Sequence, residues 1–154
     1  NTDRLGTFNL DLSYSLVLTD KYKRVESDPL VDYRDAPSLY NTRSRVRGSL
    51  GWQKDDWSAT LFGTRWGTIR NSAGADFTNA AGDFSPLRLP PYMLYNLTVG
   101  KKFGANVQTQ FTVVNLLNNK FRNDASATGF PFYNIYGGSS PLGRSFFGSI
   151  SYRF

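Results

Sequence analysis

Along residues 6–18, apolar and polar side chains alternate as far as Leu16. Phe8, Leu10, Leu12, Tyr14, Leu16 and Leu18 fall on one side, with Thr7, Asn9, Asp11, Ser13 and Ser15 on the other. A period of two marks a strand with one apolar and one wet face. The run is well past the ~5–6 residues of a usual globular strand, and long enough to cross a bilayer at a tilt, which takes ~9–11. Similar runs recur along the chain. Strand two is predicted over 43–52, and strand three starts at Trp57 after the turn Gln53-Lys54-Asp55-Asp56. Strand four covers 92–103, with Met93, Tyr95, Leu97 and Val99 on one side. The turn Gly104-Ala105-Asn106 reverses into strand five, where Val107, Thr109, Phe111 and Val113 oppose Gln108, Gln110 and Thr112. Strand six sets Phe146, Gly148, Ile150, Tyr152 and Phe154 against Ser145, Phe147, Ser149, Ser151 and Arg153.

Placing Trp52 opposite Trp57 pairs Leu50 with Ala59, Gly48 with Leu61 and Val46 with Gly63 on the apolar side. Arg43, Arg45, Arg47 and Ser49 then share the other face with Thr60, Phe62, Thr64 and Trp66. That register puts both indoles at one membrane interface, where Trp is favoured. The even face of strand three, with Phe62 and Trp66, is the competing choice for lipid. Long connections, at about 19–40, 70–91 and 118–141, alternate with the two short turns. Outer-membrane barrels have short periplasmic turns and longer extracellular loops. The long connections are therefore expected outside and the C-terminus in the periplasm. The expected fold is all-β: six antiparallel transmembrane strands, the C-terminal portion of a large outer-membrane β-barrel. Single-chain barrels start at eight strands, and an open edge in lipid leaves backbone groups unpaired. Residues 1–154 are accordingly expected to be one segment of a longer barrel wall.

Composition narrows the chemistry. The chain has no Cys and no His, which removes thiolate sites, the usual general base and the commonest metal ligand. Its carboxylates lie almost wholly in predicted loops and turns, and no nucleophile elbow or phosphate loop appears. No enzyme, cofactor or metal site is expected. Asp28, Asp32 and Asp35, or Asp76 and Asp83, match no compact calcium loop. The net charge of +6 is dispersed, unlike a nucleic-acid-binding arm. No run of 18 apolar residues exists to form a membrane-crossing helix. A signal peptide, which an outer-membrane protein needs, is not seen at the N-terminus, so Asn1 is expected to lie inside a longer chain.

Two stretches carry a resemblance. Phe111-Thr112-Val113-Val114-Asn115-Leu116-Leu117-Asn118-Asn119-Lys120-Phe121 resembles the strand ending in V-x-N-L-F-D-x-x-Y near the end of TonB-dependent outer-membrane receptors. Pro141-Leu142-Gly143-Arg144 with Tyr152 and Phe154 is similar to their closing P-x-G-R-x-x-x-x-x-x-x-Y-x-F. Together the two cover roughly the last third of the chain. Leu117 stands where an aromatic is common, and Asn118 where Asp is usual. The resemblance implies a barrel of about 22 strands around an N-terminal plug. Such a receptor imports a scarce nutrient (siderophore, cobalamin, haem or oligosaccharide) with energy from the TonB complex, which it meets through an N-terminal part outside this chain. It also implies that Phe146, Ile150, Tyr152 and Phe154 act as a signal for the barrel assembly machinery, in addition to facing lipid. The rival readings are a passive porin-like channel, a non-transporting barrel (an adhesin or a component of an outer-membrane assembly) and a soluble β-sandwich carbohydrate-binding module.

Within that frame, Arg43, Arg45 and Arg47 are placed on the lumen side. They would either attract an anionic ligand through a focused positive potential or pair with carboxylates of neighbouring strands or the plug, the pairing favoured because enclosed ions are usually paired. Phe130, Phe132, Tyr133 and Tyr136 would either form part of a ligand-capturing loop surface or pack that loop on its neighbours. Lys21, Tyr22, Lys23 and Arg24 read as a solvated charged loop near lipopolysaccharide phosphates. Lys101 falls on the apolar face near a short turn, where its stem can snorkel. Asn118, Asn119 and Lys120 read as the rim of strand five. The expected partners are outer-membrane lipid and lipopolysaccharide, the rest of the barrel with its plug, the TonB complex and the assembly machinery.

Overall fold

The computed structural model describes residues 4–34, 42–120, 124–127 and 142–154. Six long strands form one antiparallel sheet: β1 (Thr7–Leu16), β2 (Ser44–Lys54), β3 (Trp57–Trp66), β4 (Tyr92–Phe103), β5 (Val107–Val114) and β6 (Ser145–Tyr152). Each strand pairs with its neighbour in the chain, and β1 and β6 do not meet, so the sheet is open. Three two-residue ladders lie in the connections: Lys21–Tyr22 with Val31–Asp32, Ile69–Arg70 with Arg88–Leu89, and Phe77–Thr78 with Phe84–Ser85. No helix among the described residues is long and apolar enough to cross a membrane, which says nothing of strands.

Directly paired residues in an antiparallel ladder point to the same face, so the registers define rows across the sheet. One row runs Leu10, Leu50, Leu61, Leu97, Val113, Phe146, unbroken over all six strands. The next row on that face is Phe8, Trp52, Ala59, Val99, Phe111, Gly148. The opposite face carries Thr7, Gln53, Ser58, Gly100, Gln110 and Ser149 in one row. In the next it carries Asn9, Gly51, Thr60, Thr98, Thr112 and Phe147. The apolar face is not covered: Leu10 is 75 % exposed and Ile150 78 %. Soluble monomers rarely expose apolar surface on this scale. The fully buried side chains among the described residues instead lie in or beside the connections: Ile69, Leu89, Asn71, Ser85, Asn115 and Asp124.

Two expectations change. The first turn holds two residues, Asp55 and Asp56, not four, so Lys54 pairs with Trp57 and Trp52 with Ala59. The two indoles are therefore diagonal, not opposite, although they keep the same face. The tight reversal needs a left-handed residue, which Asp55 supplies at φ 49°; Asp adopts that conformation more readily than most residues. A slip of two residues leaves every side chain on its expected face, which is why the face assignment survives a wrong register. β3 places Ala59, Leu61 and Gly63 in the apolar rows and Phe62 and Trp66 on the wet side. Strand one ends at Leu16 rather than Leu18, although the Val17 amide still donates to the Arg43 carbonyl at 2.8 Å.

Candidate functional site

The wet face of β2 carries the basic strip. Arg45 pairs with Ser15 and Trp66, and Arg47 with Ser13 and Thr64. The expected cross-strand carboxylate pairing is not formed. Arg34 does pair with Asp32, but in the first connection and not on this strip. Asp11, the carboxylate on this face of β1, accepts instead from the Ser49 hydroxyl at 3.3 Å. The Arg45 guanidinium lies 5.9 Å from the centre of the Trp66 ring, and its buried Nε has no hydrogen-bond partner. Stacking on an indole is a usual resting place for a guanidinium, which is weakly hydrated and planar. Arg43 is exposed at the end of the strip. Among the described residues, the wet wall thus presents a cationic strip in which Arg45 and Arg47 form no ion pair.

At the same end of the sheet, three segments distant in sequence are knotted around one carboxylate. Asp124 Oδ2 accepts from the Ser72 amide at 2.9 Å and the Ser72 hydroxyl at 3.0 Å. Oδ1 accepts from the Ser126 amide at 3.0 Å, the Ser126 hydroxyl at 2.6 Å and the Ser85 hydroxyl at 3.3 Å. Ser85 Oγ in turn receives the Ala125 amide, and Ser126 Oγ the Ala73 amide. Burial disfavours the Asp124 anion, but this set of donors outweighs it and lowers the carboxyl pKa. Asn71, fully buried, donates to the Ala75, Ser85 and Pro86 carbonyls and accepts from the Gly74 amide. All three hydroxyls donate to this one carboxylate, so the cluster clamps the connections together.

The two motifs that carry the family resemblance meet at the end of β5. At the end of β5, Asn115 adopts φ 55° and Asn118 φ 53°. Asn115 is buried; its side chain donates to the Asn119 carbonyl at 3.0 Å and accepts the Asn119 amide at 2.9 Å. Its own amide donates to Asn96 Oδ1 on β4. Asn119 Nδ2 donates to the Met93 carbonyl at 2.7 Å. Asn118 Oδ1 accepts the Arg144 amide at 3.0 Å, immediately before β6. Gly143, at φ 66°, allows that approach, since a Cβ there would sit 3.0 Å from Asn118 Oδ1. The Asn118–Asn119 rim is therefore a built turn that positions β6. The Asp124 clamp gave no signal in the sequence, because its members are polar loop residues up to 54 positions apart with no periodicity to connect them.

The remaining predicted positions fall as follows. Lys101 lies on the apolar face at the short-turn end, its ammonium 4.3 Å from the Trp57 ring and 5.0 Å from that of Phe103. Trp52 donates its indole N–H to the Leu5 carbonyl at 2.8 Å. Phe146, Ile150 and Tyr152 stand exposed on the apolar face of β6, with Phe154 packed edge-on against Tyr152 at 5.0 Å. Lys21, Tyr22, Lys23 and Arg24 are exposed in the first connection, where Tyr22 meets Tyr33 edge-on. Asp32 is held at a pKa of about 2 by hydrogen bonds from Arg34, and Asp76 caps the Leu87 amide at 2.7 Å. Phe130, Phe132, Tyr133 and Tyr136, like Asp35, lie outside the described residues.

No family model matches the sequence, and no curated protein sequence does. Among solved structures, the chain is similar to crystal structures of variants of the ferric enterobactin receptor PfeA from Pseudomonas aeruginosa. One covers 94 % of this chain and 20 % of the receptor, with a TM-score of 0.52 and 20 % identity. A second covers 80 % and 19 %, with a TM-score of 0.49 and 21 % identity. A third, in complex with enterobactin, covers 72 % and 16 %, with a TM-score of 0.46 and 23 % identity. The chain spans about a fifth of the length of the first of these receptors. Its fold is that of a stretch of wall from an outer-membrane receptor β-barrel.

Proposed function

We propose that this sheet is part of the wall of a TonB-dependent outer-membrane receptor that imports a scarce nutrient. The observation that carries the reading is the unbroken apolar row from Leu10 to Phe146 on a sheet with a receptor-barrel fold. A surface of this kind suits lipid on one face and an aqueous lumen on the other. The junction of Asn118 with Arg144 supports the family assignment, because the two resembling motifs form one turn rather than two independent matches. The open edges of β1 and β6 then belong to further strands of the same barrel around a plug, since unpaired edges do not persist in lipid. In this reading the clamp faces the outside and the two short turns the periplasm. The Arg45 and Arg47 strip faces the lumen and draws an anionic ligand such as a ferric chelate. Phe146, Ile150, Tyr152 and Phe154 supply the assembly signal while facing lipid.

The test uses the full-length protein in outer-membrane extracts and in a deletion strain. A band that shifts on heating, with uptake of one ferric siderophore, cobalamin or oligosaccharide lost on deletion and on de-energising the TonB complex, is the expected result. A heat-shifting band with energy-independent permeation would overturn import in favour of a passive channel. A soluble, unshifted protein would overturn the membrane reading itself.

A further inference from the structure

The apolar face is not uniformly convex. Gly48 and Gly63 pair directly opposite each other on β2 and β3, with Leu12 of β1 and Tyr95 of β4 completing that row. With no side chain at the two central positions, the row sinks into a groove of about 310 Å³. Leu12 and Tyr95 wall it, the Tyr95 ring lying across Gly63, while Val46 and Met93 line one end. Its size falls within the ~300–1,000 Å³ of small-molecule sites, which are likewise mostly apolar with a few placed polar groups. Asp11, Ser49 and Thr64 also border the groove, but their registers turn them to the wet face; the charged group on the groove's own face is Arg65, in the row Tyr14, Val46, Arg65, Met93. Arg65 is the charged strand residue on the outer half of this face, half-buried, and it has no hydrogen-bond or ion-pair partner among the described residues.

Its depth matters. Trp57 marks the short-turn end of β3, and at ~3.3 Å per residue and a tilt of about 40° Arg65 stands roughly 20 Å above it, against an apolar band ~25 Å tall. That puts the guanidinium close under the opposite headgroups, where an arginine is tolerated and phosphate is the abundant anion. An arginine suits phosphate because its planar fork can donate two parallel hydrogen bonds.

Resting on the membrane reading above, we propose that this groove is a lipid site: one acyl chain of a phosphorylated outer-leaflet lipid lies in the Gly48–Gly63 notch, and its phosphate is held by Arg65. The groove opens directly into hydrocarbon and is closed by no element of the sheet, so a chain enters without any rearrangement.

The test is native mass spectrometry of the full-length protein, extracted in mild detergent and titrated with bisphosphorylated lipid A or its dephosphorylated form. The heat-shift of the same samples reports whether the barrel is intact. Arg65→Gln is expected to weaken lipid A binding roughly ten-fold, the scale of one charge-assisted contact, and to leave the dephosphorylated form unaffected. Gly48→Val fills the notch and is expected to weaken both forms. A Cβ there meets Leu12 Cδ1 and the Asp11 carbonyl at 3.3 Å, so Arg65→Gln carries the decision if Gly48→Val does not fold. Intact barrels whose binding is unchanged by Arg65→Gln overturn the site and leave the membrane reading standing. A Gly48→Val change that removes a dimer but spares lipid binding overturns it in favour of a second copy in the groove. Absence of any heat-shift in the wild-type protein overturns both readings together.

Discussion

Asn115 shows how much a single side chain can do at the end of a strand. Its backbone is left-handed, a conformation that costs a non-glycine residue about 1–2 kcal/mol, and its amide group closes a two-bond ring with Asn119 while buried. Asn115→Ala keeps the strain and orphans the Asn119 amide and carbonyl. We expect it to cost about 2–4 kcal/mol, and Asn115→Gly, which relieves the strain but loses the same bonds, to cost less. The midpoint temperature of the heat-shift measures both, and Gly falling below Ala would refute the left-handed requirement. Asp124 has the opposite character, because charge rather than conformation holds it. Its folded pKa is depressed, so its contribution is fully present above the unfolded value of about 3.9 and fades as pH falls below that, through the folded value. The midpoint of the wild-type protein should therefore drop below about pH 4 more steeply than that of Asp124→Asn. Asp124→Asn should already lie lower at neutral pH, because its amide places donors against the Ser72 or Ser126 amides. The Asn turn was legible in the sequence through its resemblance to a motif. The clamp was not, since hydrogen bonds between loop residues leave no trace in hydrophobic pattern.

For whole strands the legible and illegible parts divide along the ladder's symmetry. Side-chain alternation specifies which face a residue joins, and the six strands follow the pattern with ends shifted by a residue or two. The partner along the strand depends on turn geometry, which alternation does not encode. β2 and β3 show this directly: two bulky indoles suggested mutual pairing, while the turn at the left-handed Asp55 begins two residues later and lets Gln53 and Lys54 join the ladder. The observed register makes a covalent prediction. Paired Cα atoms lie about 4.5–5.5 Å apart, within disulfide range, whereas diagonal neighbours do not. In a chain without native Cys, Trp52→Cys with Ala59→Cys should oxidise readily to a cross-link that blocks strand separation on heating. Trp52→Cys with Trp57→Cys should remain reducible free thiols. The reverse pattern would restore the register read from the indoles.

At the level of the whole sheet, one asymmetry decides between a membrane wall and a soluble β-sandwich: how the penalty for a charge on the apolar face varies along the strand. A sandwich would bury that face against a second sheet and a barrel would press it on lipid, and both penalise a charge there. The difference lies in depth dependence. Leu97 sits in the central apolar row, four positions from Lys101 at the aromatic rim, close to the middle of the proposed hydrocarbon band. An arginine there costs about 2–4 kcal/mol in an outer-membrane barrel and about 0–1 kcal/mol near the interfaces. Thr98, one residue on, points to the wet face, where its hydroxyl meets that of Thr112 at 3.0 Å. We therefore expect Leu97→Arg to lower the folded, heat-shifting fraction sharply. Val107→Arg, on the same face but paired with Phe103 and Tyr152 at the rim, should lower it little, and Thr98→Arg by no more than the loss of one hydroxyl contact. A sandwich core gives another order, with penalties following burial rather than height along the strand. Penalties equal at Leu97 and Val107 would speak against lipid as the solvent of this face, whatever the fold.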